Sequence, residues 1–197
     1  QAEAFAQAGV VLAQMEVNAD AVLAALQAGR ASGALTVLNP APANAPTTPE
    51  LLAAADVLTP NETESAEMLA RHCALTVAPD DVAGLPDAAL HAHCRALAGQ
   101  ASVVVTLGAQ GAFVSHHDAA TRGDADAYYR VAATAVQVLD TTGAGDAFNG
   151  ALALQLALAR GTFADAVAFA NRYAGLSTEQ AGGAASMPRL PRPAGQA

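Results

Sequence analysis

The chain has 197 residues, 53% of them hydrophobic and 4% aromatic, with 18 acidic side chains against nine basic ones and a net charge of −9. That length suits one domain with a sizeable core, and the charge argues against a nucleic-acid partner, which needs clustered Lys and Arg to neutralise phosphates. No apolar run reaches about 18 residues without a polar break, so no membrane-spanning helix is expected. Cys73 and Cys94 are too few for a disulfide framework, and a reducing cytoplasm is the expected compartment. The opening Gln1-Ala2-Glu3-Ala4 has neither the basic residues nor the apolar core of a signal peptide, and no initiator Met, as expected of a fragment or processed product.

In chain order, residues 10–16 predict a buried strand. Asn18 is placed to cap a helix over 19–28 that Gly29 closes. Leu35-Thr36-Val37-Leu38-Asn39 predicts a second strand, stopped by Pro40, Pro42 and Pro46, and Asp56-Val57-Leu58-Thr59 a third, stopped by Pro60. A helix over 62–71, a polar loop around Asp80 and Asp81, and a helix over 88–97 follow. Ser102-Val103-Val104-Val105-Thr106-Leu107 is strongly β-branched, and Gly108-Ala109-Gln110-Gly111 turns it into a hairpin partner over 112–116. Residues 116–127 read as a loop, with His116-His117-Asp118 a solvated hairpin end. Strand signal returns over 129–138, and helices over 145–159 and 164–179 precede a Gly/Pro tail with Arg189 and Arg192. Strands alternating with helices predict an α/β fold with a mostly parallel sheet and ligands at the C-terminal ends of its strands. Glu16, Asn39, Asn61, Thr106 and Asp140 are each expected to end a strand.

The most informative run is Asp140-Thr141-Thr142-Gly143-Ala144-Gly145-Asp146. It follows the β-like Val136-Gln137-Val138-Leu139 and opens an Ala/Leu-rich helix. A small-residue turn at a helix N-terminus leaves backbone N–H groups free and lets a phosphate approach the main chain. The carboxylate of Asp146 at the end of that turn suits a proton acceptor, so the pattern points to phosphoryl transfer to a hydroxyl; taken alone, an Asp at a helix start reads first as a helix-dipole partner. His91-Ala92-His93-Cys94 is not read as a metal site, because alternating helix positions face apart. The chain carries no P-loop sequence, and no Gly-x-Gly-x-x-Gly follows a strand.

Four blocks occur in order: Asn39-Pro40-Ala41-Pro42-Ala43; Thr59-Pro60-Asn61-Glu62-Thr63-Glu64; Thr106-Leu107-Gly108-Ala109-Gln110-Gly111; and the Asp140 to Asp146 run continuing Ala147-Phe148-Asn149-Gly150. Through them the chain resembles the ribokinase-like, pfkB-type family of sugar kinases over nearly its whole length, starting about a third of the way into the family's pattern. The resemblance implies a ribokinase-like α/β fold lacking the N-terminal part and lid, with residues 1–197 forming the C-terminal, nucleotide-binding part. It implies ATP-dependent phosphorylation of a sugar hydroxyl, D-ribose to D-ribose 5-phosphate before the alternatives of fructokinase, 2-keto-3-deoxygluconate kinase and adenosine kinase. A rival of another class is a catalytically silent nucleotide-binding fragment.

The same resemblance assigns roles. Asp146 is the base beside the sugar hydroxyl, and Gly143, Ala144 and Gly145 form the anion hole. Asn61, Thr106, Gly108, Gly111, Gly145 and Asn171 contact ATP, and Glu64 holds Mg²⁺ through water. Glu16 contacts the sugar. Asp140, Thr142, Ser177, Gln180, Gly182 and Ser186 hold a monovalent cation, expected to be K⁺. Four of these positions have plainer readings: Asn61 with Glu64 is also a capping box, Glu16 an exposed strand-end carboxylate, and Asn171 a polar helix face. Partners implied are a small sugar and ATP, with a homodimer through the lid in the complete protein.

Overall fold

The computed structural model describes residues 2–189; Gln1 and Arg192 lie outside the described residues. Six strands form one sheet in the spatial order β1 (Val10–Gln14), β2 (Leu35–Asn39), β3 (Val57–Leu58), β4 (Ser102–Thr106), β5 (Ala112–Ser115) and β6 (Tyr128–Val131). The first four are parallel, and β5 and β6 each run antiparallel to the strand before. The helices are α1 (Ala2–Gln7), α2 (Ala19–Ala31), α3 (Pro49–Ala54), α4 (Glu62–Cys73), α5 (Pro79–Val82), α6 (Asp87–Ala98), α7 (Ala144–Leu158) and α8 (Phe163–Ser177).

Side-chain alternation along the strands sends each to one of two cores. Leu38, Leu58, Val103, Val105 and Phe113 pack with Leu26, Leu51, Met68 and Leu90 of α2, α3, α4 and α6. Val37, Val57, Val104 and Val114 pack with Phe148 and Leu152 of α7 and Phe163 and Val167 of α8. The result is three layers with the sheet in the middle. No described helix is long and apolar enough to cross a membrane.

Several expectations are corrected. Gly29 does not end its helix: α2 runs on to Ala31, and a Cβ at Gly29 would sit 2.6 Å from Val11 Cγ2, so the glycine serves helix–sheet contact instead. Thr48, whose side chain accepts from the Leu51 N–H, and Pro49 at the first helical position start α3, a helix the Pro-rich context concealed. Pro79 likewise opens α5 where a polar loop is expected.

The β-like stretch before the glycine turn forms no strand. Leu139 and Asp140 donate their N–H groups to the Thr178 carbonyl, and the Gln137 N–H goes to Glu179 Oε1. The segment therefore crosses the C-terminal end of α8 instead of joining a ladder, and Val138 and Leu139 stay exposed. Asp140 consequently does not end a strand, and the predicted strand over 129–138 stops at Val131.

His116 is the clearest reversal. It is 1% exposed, with Nδ1 2.8 Å from Ser102 Oγ, Nε2 3.0 Å from Asp124 Oδ2, and its ring set edge-on to Phe163. Asp124, eight residues on and looking like ordinary loop polarity, supplies the partner that lets an imidazole be buried.

Candidate functional site

The loops leaving β1 to β4 and the N-terminus of α7 meet at one end of the sheet. Gly143 is the N-cap of α7, with the left-handed φ of 77° that a Cβ would strain. Ala144 donates to the Thr141 carbonyl at 3.1 Å, so its N–H is closed inside the turn and is not a free donor as expected. The N–H groups of Gly143, Gly145 and Asp146 have no acceptor among the described residues, and no side chain caps the helix. The anion-binding capacity of this turn therefore rests on those three donors and the helix dipole.

Asp146 sits in the first turn of α7, exposed, with no hydrogen-bond partner among the described residues. Its carboxylate borders a cavity of about 290 Å³ whose walls include Gly150 and Leu154 of α7, Tyr173 of α8, and Met187. The glycine turn thus sets an unengaged carboxylate beside three N–H groups that have no acceptor among the described residues.

Across from this turn lies the β3–α4 loop. Asn61 caps α4: its Oδ1 accepts from the Glu64 N–H at 2.8 Å, while Glu64 Oε2 accepts from the Asn61 N–H at 2.9 Å and Oε1 from Asn61 Nδ2 at 3.1 Å. The capping box is thus fully formed. Glu64 is 4% exposed, and burial, with the nearby Glu62 charge adding to it, raises its carboxyl pKa above the usual range. Both of its oxygens accept hydrogen bonds from Asn61, and no described cluster of three or more His, Cys, Asp or Glu could hold a metal ion. The Thr106 N–H donates to the Pro60 carbonyl, and Thr106 bridges to Asn61, which sets the end of β4 beside this loop.

The Thr106 to Gly111 turn is explained in part by packing. Gly108 is exposed with a left-handed φ of 49°, and a Cβ there would lie 3.8 Å from Glu62 Oε1. Gly111, buried at φ 90°, would place a Cβ 2.0 Å from the Val131 carbonyl oxygen, so its requirement for glycine comes from backbone contact with the residues after β6. Asn171 Nδ2 donates to that same carbonyl at 3.1 Å, spending the amide on chain packing. Glu16 lies exposed two residues beyond β1.

Of the expected cation loop, the structure joins Asp140, Thr142 and Gly182 directly. Asp140 Oδ2 accepts from the Gly182 N–H at 2.8 Å and Oδ1 from the Thr142 N–H at 2.9 Å. These hydrogen bonds to the ionised form, the Gly182 bond foremost, lower the Asp140 pKa to about 2. The Ser177 and Ser186 hydroxyls donate to the Ala174 and Gly183 carbonyls within their own turns, and Gln180 is exposed. His91 and Cys94 are occupied elsewhere. His91 bonds Ser115 Oγ and stacks on Tyr128, and burial pushes the Cys94 thiol up to about 12.

Two residues that sequence reasoning did not single out tie the site together. The Thr59 hydroxyl donates to Asn149 Oδ1 at 2.6 Å, and Asn149 Nδ2 donates to the Gly145 carbonyl at 2.9 Å. Asn149 is 6% exposed in a helix otherwise rich in Ala and Leu, and that lone buried amide is the signal that could have drawn notice.

Residues 1–190 match the sequence pattern of the family described as pfkB family carbohydrate kinase. The chain belongs to that family. It is 35% identical to ribokinase from Staphylococcus aureus over 188 residues and 36% identical to ribokinase from Haemophilus influenzae over 189, covering 95% of this chain and 56% of each relative. It therefore spans a little over half the length of those relatives. Among solved structures, Arabidopsis thaliana ribokinase complexed with ribose and ATP superposes with a TM-score of 0.75 at 27% identity, over 95% of this chain and 55% of the other. Ribokinase from Thermotoga maritima gives a TM-score of 0.76 at 23% identity, over 95% and 56%, which establishes the shared fold. The α/β, mostly parallel architecture expected from the sequence is the fold of these pfkB-family enzymes.

Proposed function

We propose that this chain is the C-terminal, nucleotide-binding part of an ATP-dependent sugar kinase, and that the intact protein phosphorylates D-ribose to D-ribose 5-phosphate. The observation that carries this reading is the unpartnered Asp146 carboxylate beside the free N–H groups of Gly143, Gly145 and Asp146. Likeness to ribokinases from two bacteria, and to a ribokinase structure containing ribose and ATP, supports the substrate pair.

In this reading the sugar hydroxyl oxygen attacks the γ-phosphorus as the bond to the bridging oxygen of ATP breaks, and ADP leaves with that electron pair. The hydroxyl proton passes to Asp146. In a loose transition state the proton departs late, so an ordinary carboxylate suffices. The three N–H groups meet the charge on the transferring oxygens, already oriented by the helix. Asn61 and Glu64 are the residues that would hold a magnesium ion, through water, and such an ion would supply charge neutralisation at the phosphates. A monovalent cation, expected to be K⁺, is assigned to the loop that Asp140, Thr142 and Gly182 draw together; one carboxylate with backbone oxygens suits a large, weakly hydrated ion. Glu16 is assigned to the sugar, and Thr106, Gly108, Gly111 and Asn171 to the nucleotide.

The test is ADP release by the intact protein with ribose, fructose, 2-keto-3-deoxygluconate or adenosine as acceptor, each in potassium and in sodium. Highest kcat/KM with ribose supports the reading. A preference for another acceptor moves the substrate within the family, and no turnover with any acceptor overturns it. Equal rates in both salts would remove the potassium assignment alone.

A further inference from the structure

Two parts of the candidate site, the β3–α4 loop carrying Asn61 and Glu64 and the first turn of α7 carrying Asp146, are joined through one buried bridge. Thr59 ends the β3 segment and is 1% exposed; its N–H donates to the Leu38 carbonyl and its own carbonyl accepts from Asn39 Nδ2 at 2.8 Å. With the backbone fixed from both sides, its hydroxyl is aimed at Asn149 Oδ1, 2.6 Å away. The orientation of the Asn149 amide follows from its partners. The Gly145 carbonyl can only accept, so Nδ2 must face it and Oδ1 must face Thr59.

The bonded carbonyl is that of Gly145, whose own N–H is one of the free anion donors, and the same peptide group carries the free N–H of Asp146. A rotation of that peptide would swing both the donors and the carboxylate. We infer that Thr59 and Asn149 are positioning residues that hold the α7 N-terminal turn in register with the β3–α4 loop for phosphoryl transfer. The inference rests on the kinase reading above. It assigns no contact with substrate to either side chain: both are buried, and both act through Gly145. It also explains why a helix otherwise built from Ala and Leu buries one amide, since without its two partners Asn149 would bury polar atoms at a cost.

The experiment uses the intact protein and compares Thr59→Val, Thr59→Ser, Asn149→Ala and the double variant Thr59→Val/Asn149→Ala. Valine matches the shape of threonine and removes only the hydroxyl, so Thr59→Val decides the matter even where Asn149→Ala does not fold. The expected result is a kcat lower by about 10- to 100-fold in Thr59→Val, the scale on which a small misplacement of reacting groups acts. The KM for ATP should change little, and Thr59→Ser should keep most of the kcat. The double variant should be no slower than Asn149→Ala, because both changes cut the same bridge. A Thr59→Val protein that melts lower yet keeps the wild-type kcat would overturn the inference and leave the kinase reading intact. Absence of turnover in the wild type with every acceptor would instead overturn the kinase reading.

Discussion

The two ends of the sheet treat polar groups in opposite ways. At the N-terminal ends of β2, β3 and β4, Arg30 pairs with Asp56, Asp56 accepts from Thr36, Arg122 bonds Ser102 and the Asp56 carbonyl, and Ser102 leads through His116 to Asp124. Asp124 also accepts from Tyr129 and from the Ala164 N–H. Each group there is matched by another. At the opposite end, three N–H groups and one carboxylate of the α7 turn are left open, and the matched groups around them, Asn39, Thr59 and Asn149, hold the open ones still. A Ser, a His and an Asp in hydrogen-bond sequence look like machinery but are sealed in packing, while the chemistry proposed above is assigned to residues the fold leaves unsatisfied.

Breaking each end should therefore give opposite signatures. Asp146→Asn should lower kcat by about 10²–10⁴-fold while ATP affinity and Tm stay near wild type, because the side chain is exposed and unpartnered. Steady-state kinetics, nucleotide titration and a thermal melt check it; a loss of only a few-fold would remove Asp146 as the base.

His116→Ala should do the reverse. It deletes a fully buried ring, two hydrogen bonds and the edge contact with Phe163, a loss of about 2–4 kcal/mol read by denaturant unfolding. The kcat of the folded enzyme should change little.

A subtler contrast is in pH. Burial lowers the His116 pKa below its ordinary 6.5, outweighing the opposing pull of Asp124. Above pH 6.5 the ring is neutral in both folded and unfolded chains, and stability is unaffected. As pH falls through 6.5 the unfolded chain takes up a proton that the folded one resists, so stability declines toward acid. Unfolding curves between pH 5 and 8 should show a shallower decline in His116→Gln. His72 and His91 are shifted in the same direction, so some slope should survive.

The smallest effect is at Asp140. Its pKa of about 2 lies below the ordinary 3.8, so its contribution is complete above pH 3.8 and is lost as pH falls toward 2. Asp140→Asn should flatten that acid limb by lowering stability at neutral pH slightly while leaving it near wild type at pH 2. An unaltered acid limb would mean that the Gly182 and Thr142 contacts do not hold this carboxylate in solution.

Much of this arrangement was legible in the residues. The Asn61 to Glu64 capping box, the Asn18 cap and the Gly108 to Gly111 hairpin follow from local rules that act within a few positions. The glycine turn was legible for the same reason. What escaped depends on partners far along the chain: Thr59 on Asn149, His116 on Ser102, and residues 136–139 on the end of α8. Val136-Gln137-Val138-Leu139 has strand composition, but composition does not say which edge is free to receive it.

The separation of 90 positions between Thr59 and Asn149 also bears on how the molecule assembles. Closing a loop of that length costs about 4 kcal/mol of chain entropy by the logarithmic rule, a sum that one buried bridge does not recover alone. The bridge can close only after most of the sheet and both of its flanking layers are in place, which makes it a late event with high sequence separation. A partly folded chain, or one still emerging from the ribosome, thus lacks the link that registers the α7 turn against its partner loop. The register between the two halves of the proposed site therefore comes into being together with the completed fold.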